Sequence, residues 1–217
     1  MSKPWNVREE AGEKHTEIHI TLELKSMEKS FETFFPLVQQ GVQVSMPVGI
    51  SLRQALLRLP GMSPHYLENR IQTIFLDGRT VDDLDGSTLR NGATVALSAA
   101  LPGLVGAMLR KGGTLGSLRS SISHCPNETD SSEKQGRITL KLFNLLIKEL
   151  GPPLLQCGIS IEKKAMKDFI HSHKDLLRET VWAAFADGKE STLEEILPLI
   201  ETSKAERCLL TVQSKNP

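Results

Sequence analysis

The residues in this sequence that could most plainly carry chemistry are two adjacent glycines in the middle of the chain. Gly112 and Gly113 follow the basic residues Arg110 and Lys111. A glycine pair can form a flexible tail that becomes reactive after cleavage, cradle an anion with its backbone amides, or end a helix. The three interpretations imply different functions, and the neighbouring residues distinguish them.

The residues before the glycines favour the end of a helix. Apolar side chains recur at positions i, i+3, i+4, i+7 and i+8, the stripe of an amphipathic helix: Leu101, Leu104, Val105, Met108 and Leu109. Arg110 and Lys111 then occupy the last turn, where cations face the negative end of the helix dipole, and Gly112 takes the left-handed position beyond it.

Two further glycines, Gly103 and Gly106, lie inside this apolar stripe. Each costs a helix about 1 kcal/mol relative to alanine, and close approach to another surface is the usual compensation. We therefore expect residues 101–119 to dock, either within the chain or on a partner. An anion site at Gly112, Gly113 and Gly116 is a weaker alternative because the Gly-Lys-Ser/Thr ending of a P-loop is missing.

Other titratable residues do not predict a catalytic or metal site. His171 and His173 are two positions apart in a helical pattern and so point in different directions. His124 and Cys125 are adjacent in a polar stretch, where such pairs rarely form a nucleophile and its base. We predict no catalytic residue, no cofactor and no metal ligand.

Two smaller clusters also have ordinary structural interpretations. The acidic turn at Asp82, Asp83 and Asp85 lacks the glycine and glutamate of a calcium loop, so solvated surface charge is expected. Trp182 and Phe185 are three positions apart and predict a contact in a helical core.

The composition narrows the function classes. The 217 residues include 26 Lys+Arg and 26 Asp+Glu, so there is no net charge to attract nucleic acid or an anionic membrane. The three cysteines are far apart, as in reduced proteins, and no signal peptide or membrane span is present in the sequence pattern. We expect a cytoplasmic protein that binds neither nucleic acid nor membrane.

Periodicity divides the chain into two folded parts. Alternating apolar residues predict strands at 16–24 and 42–48, joined as an elongated hairpin. A helix capped by Ser51 follows over 50–61, then strands at 71–78, ending in an Asp77-Gly78 turn, and at 92–99. We assign residues 1–15 to a mobile leader, 16–100 to an α+β domain, 101–123 to the glycine-containing helical segment and 124–136 to a polar linker.

The remaining residues, 137–217, predict a mainly helical domain with a short terminal strand. Helical patterns cover 138–151, 161–173, 175–188 and 191–201, the last with a capping box between Ser191 and Glu194. Residues 207–213 alternate like a strand. We expect no internal repeat between the two parts.

Residues 73–103 resemble the ubiquitin-like β-grasp proteins that carry sulfur, namely the small subunit of molybdopterin synthase and the thiamine sulfur carrier. The matching features are Asp77-Gly78, Val81, Leu89, the Asn91-Gly92 turn and a closing strand with Val95 and Leu97. With the upstream strands and helix, the resemblance covers about residues 16–103 and implies a β-grasp domain. Such carriers end in an activated diglycine, whereas this sequence has Gly103-Leu104 at the matching position and continues.

The resemblance and the missing catalytic groups predict a non-enzymatic adaptor related to sulfur carriers that docks on a protein partner or self-associates through residues 101–119. An alternative is the precursor of a sulfur carrier or modifier activated after cleavage at Gly113. A third is an enzyme with an interdomain site, for which no residue is specified.

Overall fold

A computed structural model describes residues 17–25, 30–99 and 133–214. These residues form a mixed α/β protein. Its strands are β1 (Glu17–Leu24), β2 (Val42–Val48), β3 (Thr73–Leu76), β4 (Arg79–Thr80), β5 (Thr94–Ser98), β6 (Lys134–Phe143), β7 (Ile159–Glu162), β8 (Val181–Ala186), β9 (Lys189–Ser191) and β10 (Arg207–Ser214). Its α-helices are α1 (Phe35–Gln40), α2 (Leu52–Leu56), α3 (Pro64–Asn69), α4 (Leu145–Cys157), α5 (Lys163–Ser172), α6 (Lys174–Thr180) and α7 (Leu193–Thr202).

The chain divides into two compact units. The middle unit contains Val38–Leu150, and the outer unit combines Asn6–Leu37 with Gly151–Pro217. The outer unit therefore takes residues from both ends of the chain. Among the described helices, none is long and apolar enough to cross a membrane.

The middle unit has five strands in the order β4-β3-β5-β6-β2. The central strands β5 and β6 are parallel, with Thr94 opposite Thr139 and Ser98 opposite Phe143, whereas the flanking pairs are antiparallel. Strand β6 alternates between buried and accessible residues, because one face of the sheet forms the core. The buried side chains of β6 are Ile138, Leu140 and Leu142.

Three local predictions for the middle unit are confirmed. Strands β3 and β5 lie within the predicted segments, and β3 is joined to β4 by the Asp77-Gly78 turn, in which both residues have positive φ angles of 51° and 79°. The Ser51 hydroxyl accepts a hydrogen bond from the Gln54 amide and so caps α2. Helix α2 ends at Leu56 and is therefore shorter than the predicted span of 50–61.

The outer unit also has five strands, in the order β7-β10-β1-β8-β9. Its central strands β1 and β10 are parallel, with Ile20 opposite Leu210 and Leu24 opposite Ser214, and the flanking pairs are antiparallel. Helices α5, α6 and α7 contact this sheet. Two of its aromatic side chains, Phe34 and Phe169, pack at 5.4 Å between ring centroids.

The predicted hairpin between the first two strands is wrong. Strand β1 pairs with β10 on one side and β8 on the other, whereas β2 pairs with β6. The pattern of alternating residues correctly located both strands, but it contains no information about which partner a strand takes when several segments offer the same alternation.

Two helices predicted in the C-terminal half are also wrong in part. Residues 134–143 form β6, and the helix begins only at Leu145; residues 181–186 form β8 after α6 ends. The start of the first segment, residues 138–142, alternates like a strand. In the second segment, Asp187-Gly188 supplies a hairpin turn with positive φ angles of 47° and 78°. The mainly helical description of residues 137–217 is therefore replaced by five strands and four helices within 134–214.

The predicted contact between Trp182 and Phe185 is also wrong, because both residues lie on β8. Trp182 lies on a strand and is 59 % exposed, so it does not form a helical core contact with Phe185. The capping box of the last helix is present, but it joins Thr192 and Glu195 rather than Ser191 and Glu194. The terminal strand is confirmed as β10.

Candidate functional site

The residues predicted to form a tail or docking element lie outside the described residues. These residues are Gly103, Gly106, Arg110, Lys111, Gly112 and Gly113. The structure does locate the strands on either side of them. Because β5 and β6 are parallel neighbours, the chain leaves the carboxyl end of β5 and re-enters at the amino end of β6.

An exposed apolar corner lies at the carboxyl end of these two strands. Phe143, the last residue of β6, is 37 % exposed, and Leu145, the first residue of α4, is 52 % exposed. Between them Asn144 has a φ of 56°, a conformation that asparagine tolerates better than most residues. We call Phe143, Asn144 and Leu145 the β6–α4 corner.

The corner is fixed to the end of β5. The Asn144 side-chain amide donates to the Ser98 hydroxyl at 3.0 Å, and Ser98 is opposite Phe143 in the parallel ladder. The Asn144 carbonyl also accepts from the Ile147 amide at 3.2 Å, which joins the strand directly to α4. The two exposed apolar side chains are therefore held on regular elements rather than on a loop.

The charged groups next to the corner are mixed. Lys148 is exposed one helical turn after Leu145, and Lys141 is half-buried two positions before Phe143. Glu149 is engaged on the same helix, where it accepts hydrogen bonds from the Arg70 guanidinium and from the Tyr66 hydroxyl. These hydrogen bonds join the end of α3 to α4. Arg70 also holds the pKa of Glu149 below its usual value.

Sequence reasoning missed Phe143 and Leu145. The predicted helix over 138–151 treated both as parts of one continuous helix. The alternation Ile-Thr-Leu-Lys-Leu at 138–142 was the signal that a strand ends here.

A cleft in the outer unit has a volume of about 830 Å³. Its charged lining consists of Lys163, Lys164, Lys167, Lys204, Arg207, Glu162, Asp168 and Glu206. Three of the five cations are already engaged: Lys163 donates to the Glu201 and Ser203 carbonyls, Lys167 pairs with Glu201, and Arg207 donates to Ser160. The two remaining cations, Lys164 and Lys204, face three carboxylates in the same lining, so the cleft is not built to attract an anion.

Arg207 in this cleft belongs to a largely buried polar cluster. Its guanidinium donates to the Ser160 hydroxyl at 2.8 Å and to the Ser160 carbonyl at 3.0 Å, and the Ser160 hydroxyl donates to the Glu17 carboxylate. No histidine is hydrogen-bonded to this serine in the described residues. The cluster joins β1, β7 and β10 and resembles a structural ion pair rather than an activated nucleophile.

The remaining sequence candidates have structural partners. The Nδ1 atoms of His171 and His173 each lie 3.0 Å from the backbone carbonyl four residues earlier. Asp83 accepts hydrogen bonds from the Asp85 and Gly86 amides, and Asp85 pairs with Arg53. Within residues 17–25, 30–99 and 133–214, no group of three or more His, Cys, Asp or Glu residues could hold a metal ion.

The cysteines differ in exposure. Cys208 is buried, and burial raises the pKa of its thiol to about 11. Cys157 is partly exposed. Both are free thiols, and Cys125 lies outside the described residues together with His124.

Comparisons with protein-family models, with curated proteins and with solved structures give no match. The function therefore has to be argued from the residues and the geometry of this chain.

Proposed function

We propose that the middle unit is a β-grasp module related to the sulfur carriers and that the protein is a non-enzymatic adaptor that docks on a protein partner. The observation that supports this proposal is the sheet β4-β3-β5-β6-β2, in which a parallel central pair is flanked by antiparallel strands. A ubiquitin-like β-grasp sheet has this arrangement. Strand β6, which follows β5 in sequence, takes the place beside β5 that the first strand takes in that fold.

The docking element of this proposal is the segment 101–119 together with the β6–α4 corner. The segment begins just after β5 ends, and Ser98 of β5 lies opposite the exposed Phe143. Phe143 and Leu145 present exposed apolar side chains at the corner, so the complementary partner surface carries apolar side chains. A cytoplasmic location is part of the same proposal.

The position of β6 counts against release of a carrier by cleavage at Gly113. Strand β6 pairs with both β5 and β2, and its side chains Ile138, Leu140 and Leu142 are at most 1 % exposed. A product ending at Gly113 would lack this strand, so β5 and β2 would each lose the backbone pairing that they make with β6. Such a product would expose apolar surface and unsatisfied backbone groups.

Site-specific photo-crosslinking in the native cells tests the adaptor function. A photoreactive amino acid at position 145 is expected to capture a discrete protein, while the same residue at Leu199, which is 40 % exposed on α7, captures none. The variant Leu145→Glu, with crosslinker at position 143, is expected to lose the product. Equal capture from 145 and 199, or no product at either position, would refute the proposal.

A further inference from the structure

Strand β8 carries aromatic and small side chains on the face of the outer-unit sheet that lies opposite its core. In β1, the core residue Leu22 lies between Thr21 and Glu23, whose half-buried side chains point to the other face. Phe185 is opposite Thr21 and Ala183 is opposite Glu23, so these two residues of β8 belong to the same accessible face.

A β-bulge places an exposed tryptophan beside these residues. The register between β1 and β8 shifts between Glu23 and Leu24, and Trp182 is the extra residue of β8 at that point. Bulges re-aim side chains, and Trp182 is 59 % exposed. We call Trp182, Ala183 and Phe185 the aromatic patch. Tryptophan is enriched among the residues that contribute most to binding at protein interfaces, so the patch is a suitable docking surface.

Two carboxylates flank the aromatic patch. Glu23 is on the neighbouring strand β1, and Glu190 is exposed on the neighbouring strand β9, where it lies opposite Phe185. Neither makes an ion pair with any residue in 17–25, 30–99 or 133–214. Lys25, the cation that follows β1, donates to the Arg178 carbonyl at 3.1 Å. An aromatic surface between carboxylates favours a cationic ligand, because ring faces and carboxylates both attract lysine and arginine.

Residues 101–119 have the chemistry that this surface requires. They lie outside the described residues, and their sequence contains three cations, Arg110, Lys111 and Arg119, and no carboxylate. The whole chain has no net charge, so this stretch is a local excess of positive charge. Arg110 and Lys111 directly follow the predicted apolar stripe, so an apolar surface and adjacent cations are presented together.

We propose that the aromatic patch of one copy binds residues 101–119 of a second copy, so that the chain self-associates. The apolar stripe of the bound stretch covers Trp182, and the basic residues that follow it pair with Glu23 and Glu190. When both copies make this contact, the dimer is closed and has two-fold symmetry. This self-association rests on the docking role proposed for residues 101–119 and adds the surface that receives them.

The two kinds of contact contribute differently to the dimer. Burial of an interface tryptophan supplies affinity, whereas complementary charges fix the orientation of the bound stretch and speed its association. Charge pairs near solvent are screened by salt. The dimer is therefore expected to weaken as the ionic strength rises.

Analytical ultracentrifugation of the purified full chain measures the self-association. The wild type is expected to show a monomer–dimer equilibrium, and Trp182→Ala is expected to raise its dissociation constant by about 30-fold or more. Leu199→Ala, which truncates an apolar side chain that is 40 % exposed on α7, is the matched control and should leave this constant unchanged. In a Trp5→Phe background Trp182 is the only tryptophan, and its emission should shift to shorter wavelength as the dimer forms.

Reversing the charges separately on the two surfaces identifies the contacting residues. One variant carries Glu23→Lys and Glu190→Lys, and the other carries Arg110→Glu and Lys111→Glu. Each variant alone brings like charges together and is expected to be monomeric. An equimolar mixture is expected to form a heterodimer, because the reversed patch meets the reversed stretch and the native patch meets the native stretch. Mixing could not restore a contact made within one chain.

A wild-type chain that stays monomeric up to about 1 mM would overturn the proposal, as would a dimer that Trp182→Ala leaves unchanged. A mixture that stays monomeric, although circular dichroism and thermal unfolding show both charge variants to be folded, would exclude the assigned pairing. Trp182 emission that responds to Arg110→Glu in a monomeric chain would place the contact within one copy and would also refute the dimer. A monomeric chain that still captures a protein from position 145 would retain the adaptor function, so the two proposals fail separately.

Discussion

Removing the carboxylate of Asp187 is the most direct test of how β1 is held in the outer unit. This carboxylate accepts a hydrogen bond from the His19 amide at 2.9 Å, and Asp187 itself has a φ of 47°. The variant Asp187→Ala removes the hydrogen bond and places alanine in a left-handed conformation that aspartate tolerates better. Both effects weaken the connection between the hairpin turn and β1.

The magnitude follows from these two effects. The hydrogen bond is at an exposed position and contributes about 0.5–1.5 kcal/mol, and the left-handed conformation costs alanine about 1 kcal/mol more. The free energy of unfolding of the outer unit is therefore expected to fall by about 1.5–2.5 kcal/mol. For a chain of this size the midpoint of thermal unfolding would fall by about 3–10 °C.

Urea and thermal unfolding measure the change, and amide hydrogen exchange locates it. The amide of His19 is expected to lose protection in Asp187→Ala, whereas the amide of Thr94 is expected to lose it in Asp77→Ala, the matched variant in the middle unit. Asp187→Asn, which keeps an oxygen acceptor and tolerates the same φ, should lie within about 0.5 kcal/mol of the wild type. If Asp187→Ala left His19 protected and the stability unchanged, the pairing of β1 with β8 would be refuted.

Three further outcomes are expected. Cleavage at a protease site introduced within residues 100–132 should leave both fragments in one complex on gel filtration, because β1 pairs with β10 and β6 pairs with β5 and β2; separation into two species would contradict these pairings. Cys157 should react with a thiol reagent at pH 8 while Cys208, with its pKa raised to about 11 by burial, reacts only on unfolding, as peptide mapping by mass spectrometry would show. Glu149→Gln should remove part of the acid sensitivity, since a carboxylate whose pKa is lowered in the folded state stabilises it above the unfolded pKa and loses that effect as pH falls; unfolding curves between about pH 3 and 6 that match the wild type would exclude this role.

Most of the local elements could be predicted from the sequence. Alternation located β1, β2 and β5, Ser51 marked the start of α2, and Asp77-Gly78 marked a turn, because each depends on residues within a few positions of one another. The predictions failed where a segment changed from one structure to another, as at Phe143, since a window that averages a strand end and a helix start shows an apparent helical period.

The candidate site could be predicted from the sequence to a smaller extent. Exposure of Phe143 and Leu145 depends on what packs around the end of β5, which composition does not specify. The tail residues at Gly112 and Gly113, which the sequence singled out, remain a prediction because they lie outside the described residues.

The sequence by itself determined which segments alternate, where turns occur and which helices have caps, because those properties are set by short-range sterics and hydrogen bonding. Only the tertiary structure decided that β1 lies between β10 and β8 rather than beside β2. The physical reason is that a strand such as Ile20–Leu24 can form its backbone hydrogen bonds and bury its apolar face between any two strands that accept it in a suitable register. The choice among such sheets is made by the packing of the whole core, which no local pattern encodes.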